Sequence, residues 1–318
     1  LVSHGAGEDI DIELDGVFDE SSTQAQVYEA MFADLVKRAV VHSHGAAVLA
    51  YGQVGTGKWH TMIGDTPGAE GILRMAGHHL FTEISQLPQK RFLITASFVD
   101  FHQCEAPVDI LRSQQQLRRT NLRDHRSLGP FLQGASAHVL RSGVEVSQLL
   151  DMGLVVHNIE RKKMERCSSQ ASLVFMLNIW SAEPSGDGEI GSVSFSRLTF
   201  AKLSGSEVPP HAGKGDGRHK SRALELVVTE LGKHSRFVPY RDAHLTRLLR
   251  NSLGGNEALA VITTCSPASA GIQETLRTLR FAELARKVEC KPEGVTVSRC
   301  EFERFVLDTP LATEAAAA

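Results

Sequence analysis

The sequence has no apolar run long enough to cross a membrane. Its opening residues, LVSHGAGEDIDIEL, lack the charged start and apolar core of a secretory signal. The five cysteines, Cys104, Cys167, Cys265, Cys290 and Cys300, are odd in number, scattered, and form no CxxC pair. That usage fits a reduced intracellular protein rather than a disulfide scaffold. The formal net charge is only -3, so no chain-wide basic field points to a nucleic-acid partner. Fourteen histidines are present, but none forms an HExxH pattern. The adjacent His78 and His79 read as packing or surface residues rather than metal ligands. There is no internal repeat and no clear linker. No heptad stretch follows the last predicted helix, so the oligomeric state is left open. The chain opens on Leu, the start expected of a fragment, and its tail, ATEAAAA, is low in complexity with no packed role expected.

What is present argues for one large domain. The chain has 318 residues and 42% hydrophobic content, enough for a substantial core. Strand and helix patterns alternate. Strands are predicted at Ile10–Leu14, Ala46–Tyr51, Arg91–Phe101, Ser172–Trp180, Val193–Leu203 and Leu259–Cys265. Helices are predicted at Ser22–Val41, Gly71–Ile84, Glu145–Val156, Ser221–His234 and Ile272–Val288. Alternation of this kind predicts an α/β fold, a central, mostly parallel sheet with helices on both faces.

The stretch GQVGTGKWHTM, Gly52 to Met62, follows the second predicted strand. Gly52, Gln53, Val54, Gly55, Thr56, Gly57 and Lys58 supply a glycine-rich turn and a lysine. In a phosphate loop the glycines admit close approach of backbone N–H groups to the anion, and the lysine reaches the terminal phosphates. The spacing alone is weak in a chain with 27 glycines, and a tight strand-to-helix turn without a ligand reads the same way. The final position, which calls for Ser or Thr as a Mg²⁺ ligand, is Trp59. An indole has one N–H donor and no useful acceptor, so it cannot ligate a cation.

The surrounding blocks resemble the kinesin motor domain. AYGQVGTGKWHTM is similar to its phosphate loop, and FDESSTQAQVYE to the segment before its first helix. FVPYRDAHLTRLLRNSLGGN (Phe237–Asn256) is the most specific match. ETLRTLRFAELARKV (Glu274–Val288) resembles its last motor helix. ECKPEGVTV stands where a neck linker would. The blocks follow the family's order over most of the chain, and centromere-associated kinesins are the nearest variety. The resemblance implies a motor domain over residues 1–290, with a neck-linker-like segment and tail over 291–318. It implies a P-loop NTPase fold that uses ATP with Mg²⁺, with Tyr28 at an adenine-stacking position. The family's opening strand, ending in Arg-x-Arg-Pro, is not found.

Both phosphate-sensing switches depart from the family's pattern. The first keeps Ser168 and Ser169, but Glu165, Gln170, Ala171 and Ser172 replace the rest. The second keeps Gly205, Ser206 and Glu207, but Lys202 replaces an aspartate. Gln170 stands for the arginine of a water-positioning ion pair. The segment expected to carry its glutamate partner, VPPHAGKGDGRHK, shows no carboxylate that aligns. Gly205 and Ser169 remain as the catalytic candidates, and Mg²⁺ is in doubt. Losing one charge-stabilising group can cost about 10²–10³ in rate, so hydrolysis is expected to be weak or lost. Lys202 itself has three readings: an ammonium standing where Mg²⁺ would, a side chain in solvent, or a charge repelling Lys58 in an empty pocket. The competing expectation is an active ATP-driven motor in which Thr61 or Ser169 compensates for Trp59.

Microtubules are the partner the resemblance implies, in cytoplasm and cytoskeleton. Tubulin is acidic, so a binding face should be locally basic. Lys233, His234, Arg236, Arg241, Arg247 and Arg250 form one basic cluster around the Pro-Tyr-Arg-Asp loop. Arg118, Arg119, Arg123 and Arg126 form a second, which reads equally well as a solvated surface. No nucleic-acid or membrane partner is expected.

Overall fold

Thr23 opens the first helix through a reciprocal cap. Its hydroxyl accepts the Gln26 N–H at 3.2 Å, and the Gln26 side chain accepts the Thr23 N–H at 2.8 Å. Helix α1 (Gln24–Met31) gives way at Phe32 to α2 (Ala33–Val41). The single helix predicted from Ser22 to Val41 is therefore two, because Phe32 turns inward and is 1% exposed. The computed structural model describes residues 11–66, 69–102, 106–112, 120–163, 171–184, 191–207, 222–268, 271–308 and 311–312. Residues 11–14 form no strand, unlike the alternation there predicts.

The remaining elements follow in order. Strand β1 (Ala46–Gly52) leads through the glycine-rich loop into α3 (Lys58–Met62). A small ribbon, β2 (Gly64–Thr66) and β3 (Ala69–Glu70), precedes α4 (Ile72–Ser85). Then come β4 (Arg91–His102), β5 (Val108–Asp109), the hairpin β6 (Asn121–His125) and β7 (Gly129–Gln133), β8 (Ala137–Leu140) and α5 (Gly143–Lys163). Strand β9 (Ala171–Ala182) equals β4 in length, and β10 (Ser192–Lys202) is one residue shorter. They are followed by α6 (Ala223–Gly232), α7 (His244–Leu248), β11 (Ala258–Thr264) and α8 (Ile272–Arg286). Strand β12 (Val295–Ser298), α9 (Arg299–Asp308) and β13 (Leu311–Ala312) close the chain.

The main sheet runs β11-β1-β10-β9-β4-β8-β13, with β12 added to β10 and β5 to β4. It is mixed rather than mostly parallel. β1 pairs parallel with both β10 and β11, but β10-β9, β9-β4 and β4-β8 are antiparallel. The cause is the link between β9 and β10. Residues 183–191 are too few for the crossover a parallel pair requires.

Alternation along β1 sorts the core into two layers. Ala46, Val48 and Ala50 join α1, α2, α4 and α5 on one face. Ala47, Leu49 and Tyr51 join α6, α8 and the Leu248–Leu253 turn on the other. A third cluster forms where Phe302 and Phe305 of α9 pack on Trp180 and Phe195. The 291–318 segment is thus a strand and a helix laid back on the sheet as far as residue 308. Residues 313–318 of the tail lie outside the described residues.

Candidate functional site: a glycine-rich loop and two buried lysines

Strand β1 delivers the loop, and its glycines set the curve. Gly57 sits at φ 106°, a left-handed conformation that side-chain-bearing residues rarely adopt. The Thr56 hydroxyl donates to the Gln53 carbonyl at 2.8 Å and lies 2.6 Å from the Thr264 hydroxyl at the end of β11. Lys58 is 7% exposed, and its ammonium donates to the Gly52 and Gln53 carbonyls, both at 2.6 Å. Gly52 to Lys58 are brought together as the motif requires.

Trp59 is half-buried against the core and offers no oxygen to the loop. Tyr28 is 7% exposed in the same core, and its hydroxyl meets His79 Nδ1 at 2.8 Å. The two rings meet edge-on, with centroids 6.0 Å apart. Burial, with the charges of Glu29 and Glu83, pushes the Tyr28 phenol up.

Lys202 is the last residue of β10, opposite Ala50 of β1. It follows Leu198 and Phe200 at two-residue spacing, so it projects on the face against which α3 packs. It is 8% exposed and donates to the Ala171 carbonyl at 3.0 Å. Burial first, and the Lys202 charge second, push Lys58 down to about 8, against the opposing pull of Glu207. The burial of Lys202 rules out the solvent reading, while the downward push on Lys58 runs in the direction of the repulsion reading.

The second switch is bonded to the loop. The Ser206 N–H donates to the Gly52 carbonyl at 3.1 Å, and its hydroxyl donates to Glu274 at 3.4 Å. Glu207 Oε1 accepts the Val54 N–H at 2.7 Å, while its Oε2 is buried without a hydrogen-bond partner. A Cβ at Gly205 would fall 2.2 Å from that Oε2, so glycine is what lets the carboxylate reach the loop. Sequence reasoning kept Glu207 only as a matching letter. The available signal was charge, since it is the one acidic residue in KLSGSE. Ser168, Ser169 and Gln170, and residues 208–221, lie outside the described residues.

Among the described residues, the glycine-rich loop and Lys58 suit a polyphosphate, while two positions that the family's pattern gives to Mg²⁺ carry no oxygen ligand. A loop amide already holds a carboxylate oxygen, and a lysine lies at its root. A divalent ion would find an indole at Trp59 and an ammonium at Lys202 in place of oxygen ligands. Among the described residues, no group of three or more His, Cys, Asp or Glu could hold a metal.

A separate face gathers the basic residues. Lys233, His234, Arg236 and Arg241 are exposed, and Arg247 and Arg250 are half-exposed. The hairpin β6-β7 packs against α7 and the turn after it, held by Asp124, which pairs with both Arg247 and Arg250. Those arginines hold the Asp124 carboxyl below its usual range, Arg247 most strongly. Arg123 and Arg126 on that hairpin are exposed, so the structure joins them to the first cluster. Arg118 and Arg119 lie outside the described residues. Phe237, between Arg236 and Arg241 in sequence, is 77% exposed. Among the described residues no helix is long and apolar enough to cross a membrane.

Comparison with known proteins gives one answer. The family model "Kinesin motor domain" matches residues 3–288. Kinesin-like protein KIF3C of Pongo abelii is 30% identical over 88% of this chain and 39% of its own length. Kinesin-like protein KIF27 of Homo sapiens is 30% identical over 98% of this chain and 24% of its own. Chromosome-associated kinesin KIF4 of Xenopus laevis is 30% identical over 90% of this chain and 24% of its own. The chain therefore spans well under half the length of these relatives, and none of the three is described as centromere-associated. A solved structure described as "Structure of a fast kinesin: Implications for ATPase mechanism and interactions with microtubules" superposes with a TM-score of 0.80. It is 27% identical and covers 91% of this chain and 85% of that one. On this sequence match and this fold, the chain belongs to the kinesin motor domain family.

Proposed function

We propose that this chain is a microtubule-binding module of the cytoplasmic cytoskeleton that holds ATP and hydrolyses it slowly or not at all. The single observation that carries the reading is Lys202, a buried ammonium at the end of β10 whose charge helps push Lys58 down, at the position where the family's pattern calls for an aspartate. Phosphoryl transfer to water depends on neutralising charge and placing the nucleophile. A second ammonium supplies charge but cannot accept a proton or hold a metal's water shell. Gln170, in place of an arginine, removes the expected partner for placing water.

The basic face supports the track-binding half. Lys233, Arg236, Arg241, Arg247 and Arg250, with Arg123 and Arg126, make a locally positive surface on a chain whose net charge is -3. Such a surface suits an acidic protein track. Residues 1–290 make up the motor domain in this reading, and 291–318 the neck-linker-like segment and tail.

The test is phosphate release from ATP, with and without microtubules, alongside co-sedimentation. Pelleting without turnover supports the module. Strong stimulation by microtubules replaces it with the second reading, an active ATP-driven motor. That reading draws on the retained bonds from Ser206 and Glu207 to the loop.

A further inference from the structure

Helix α9 leaves a cleft where it crosses the hairpin β6-β7. Strand β12 is bound to β10 before it and β13 to β8 after it, so α9 is held to the sheet at both ends. Between α9 and the hairpin lies a cavity of ≈430 Å³, within the range of small-molecule sites. No residue of the glycine-rich loop lines it. We propose that this cleft binds a small aromatic anion, its ring against Phe131 and Phe305 and its acid group at Arg126 and Arg304.

The apolar wall is aromatic. His125, Phe131 and Phe305 all line the cavity and meet edge-on, with ring centroids 5.4, 5.9 and 6.4 Å apart. Phe131 and Phe305 are half-buried, so each keeps surface towards the cleft. A further ring can join such a cluster edge-on or offset.

The charge balance of the cleft is positive. Its ionisable groups are His125, Arg126, Glu301 and Arg304, with the Cys300 thiol. Glu301 is answered within the protein. The Ser127 hydroxyl donates to its Oε1 at 2.8 Å, and His125 Nε2 lies 3.7 Å from the same oxygen. His125 Nδ1 accepts the backbone N–H groups of Ser127 and Leu128, both at 3.3 Å, so in the neutral ring Nε2 carries the proton. Arg126 and Arg304 are exposed, and among the described residues neither has an ion-pair partner. Two guanidiniums without a carboxylate of their own suit a carboxylate or sulfonate. An apolar ligand would leave the arginines unused, and a bare inorganic anion would leave the rings unused. A ligand carrying both parts uses the whole cleft.

The experiment is fluorescence titration of the intact chain with 8-anilinonaphthalene-1-sulfonate. N-phenyl-1-naphthylamine, which has the same rings and no acid group, runs in parallel. The test variant joins Arg126→Gln and Arg304→Gln, both at exposed side chains, with circular dichroism confirming that it folds. The expected result is one sulfonate per chain, with a dissociation constant on the order of tens of micromolar. The double variant should weaken sulfonate binding by about tenfold or more and leave the uncharged probe unchanged. Excess ATP should not displace the sulfonate. Cys300 is exposed and lines the cleft, so it reports the location. Bound sulfonate should slow its alkylation by iodoacetamide, followed by mass spectrometry. No saturable binding, equal affinity for the two probes, undiminished binding by the double variant or an unprotected Cys300 each overturns the inference. Displacement by ATP overturns it as well, since it assigns the probe to the nucleotide's site. None of these outcomes counts against the proposed function.

Discussion

The carboxylate of Glu207 accepts the backbone N–H of Val54 at 2.7 Å, so an acidic side chain of the second switch rests on the phosphate loop. An incoming phosphate competes with it for that amide. Glu207→Gln keeps the shape and removes the charge, and a hydrogen bond to a charged group contributes about 1.5–3 kcal/mol against about 1 for a neutral one. ATP should therefore bind about three- to tenfold more tightly to the variant. Calorimetric titration checks this, and weaker binding would show that Glu207 supports the loop rather than competing at it.

Lys58 ties the site to pH. Its ammonium is pushed down to about 8 from 10.5, by burial and by Lys202. The unfolded chain then binds this proton more tightly than the folded one. The resulting cost is fully present below pH 8 and fades as pH rises towards 10.5, so this group's contribution to stability improves over that window. Affinity for a phosphate should run the other way, since the bond needs the charged form. ATP binding should hold steady to about pH 7.5 and fall roughly tenfold by pH 9.5. A flat profile across that range would separate Lys58 from the ligand.

Asp124 sets how much charge the basic face shows. It engages Arg247 and Arg250 from the hairpin β6-β7. Asp124→Asn should strengthen co-sedimentation with microtubules at low salt, and Arg236→Glu with Arg241→Glu should weaken it by tenfold or more. Phe237→Ala tests the exposed apolar side chain next to Arg236, with a smaller loss that persists at high salt. Equal loss at every ionic strength for the arginine variant would argue against an electrostatic face.

Arg197 is buried and donates to Asn178 at 2.9 Å and to the Pro130 carbonyl at 2.7 Å, with the Glu257 charge nearby. Glu257 is equally buried, and burial pushes its carboxyl up although Arg197 opposes the shift. Arg197→Met removes the nearby positive charge and leaves the Asn178 oxygen and the Pro130 carbonyl without their donor, at a cost of about 1–3 kcal/mol for each buried group left unsatisfied. Urea unfolding measures the difference. Adding Glu257→Gln should recover part of it, and no recovery would mean that the packing of Arg197 matters more than its charge.

Local signals made the first half of the site legible. A strand of small and apolar residues, three glycines and a lysine define Ala46 to Lys58 within thirteen positions, and the fold realises them directly. Lys202 was legible as a change of charge, but its burial was not, because that depends on β10 pairing with β1 across the chain. The hairpin β6-β7 escaped prediction for a similar reason. Its sequence, NLRDHRSLGPFLQ, has little alternation, and Asp124 holds it through arginines more than 120 positions away. The break at Phe32 follows from tertiary packing that overrides a continuous helical pattern. In α9, Phe302 and Phe305 are ordinary apolar residues until Trp180 gives them a surface.

Strand β10 has a mechanical meaning as well as an electrostatic one. Its first residues, Ser192 to Phe195, carry β12, while its last, Lys202, stands at the phosphate loop. At about 3.3 Å per residue it is a bar roughly 35 Å long. The antiparallel partner on one end and the lysine on the other belong to the same stiff member, flanked along its length by β9. Traction on the chain beyond Ser298 would therefore be carried as tension along the bar, and the lysine would be displaced only as far as the whole sheet yields. In such a member a tug at one end and a charge at the other are not separate events.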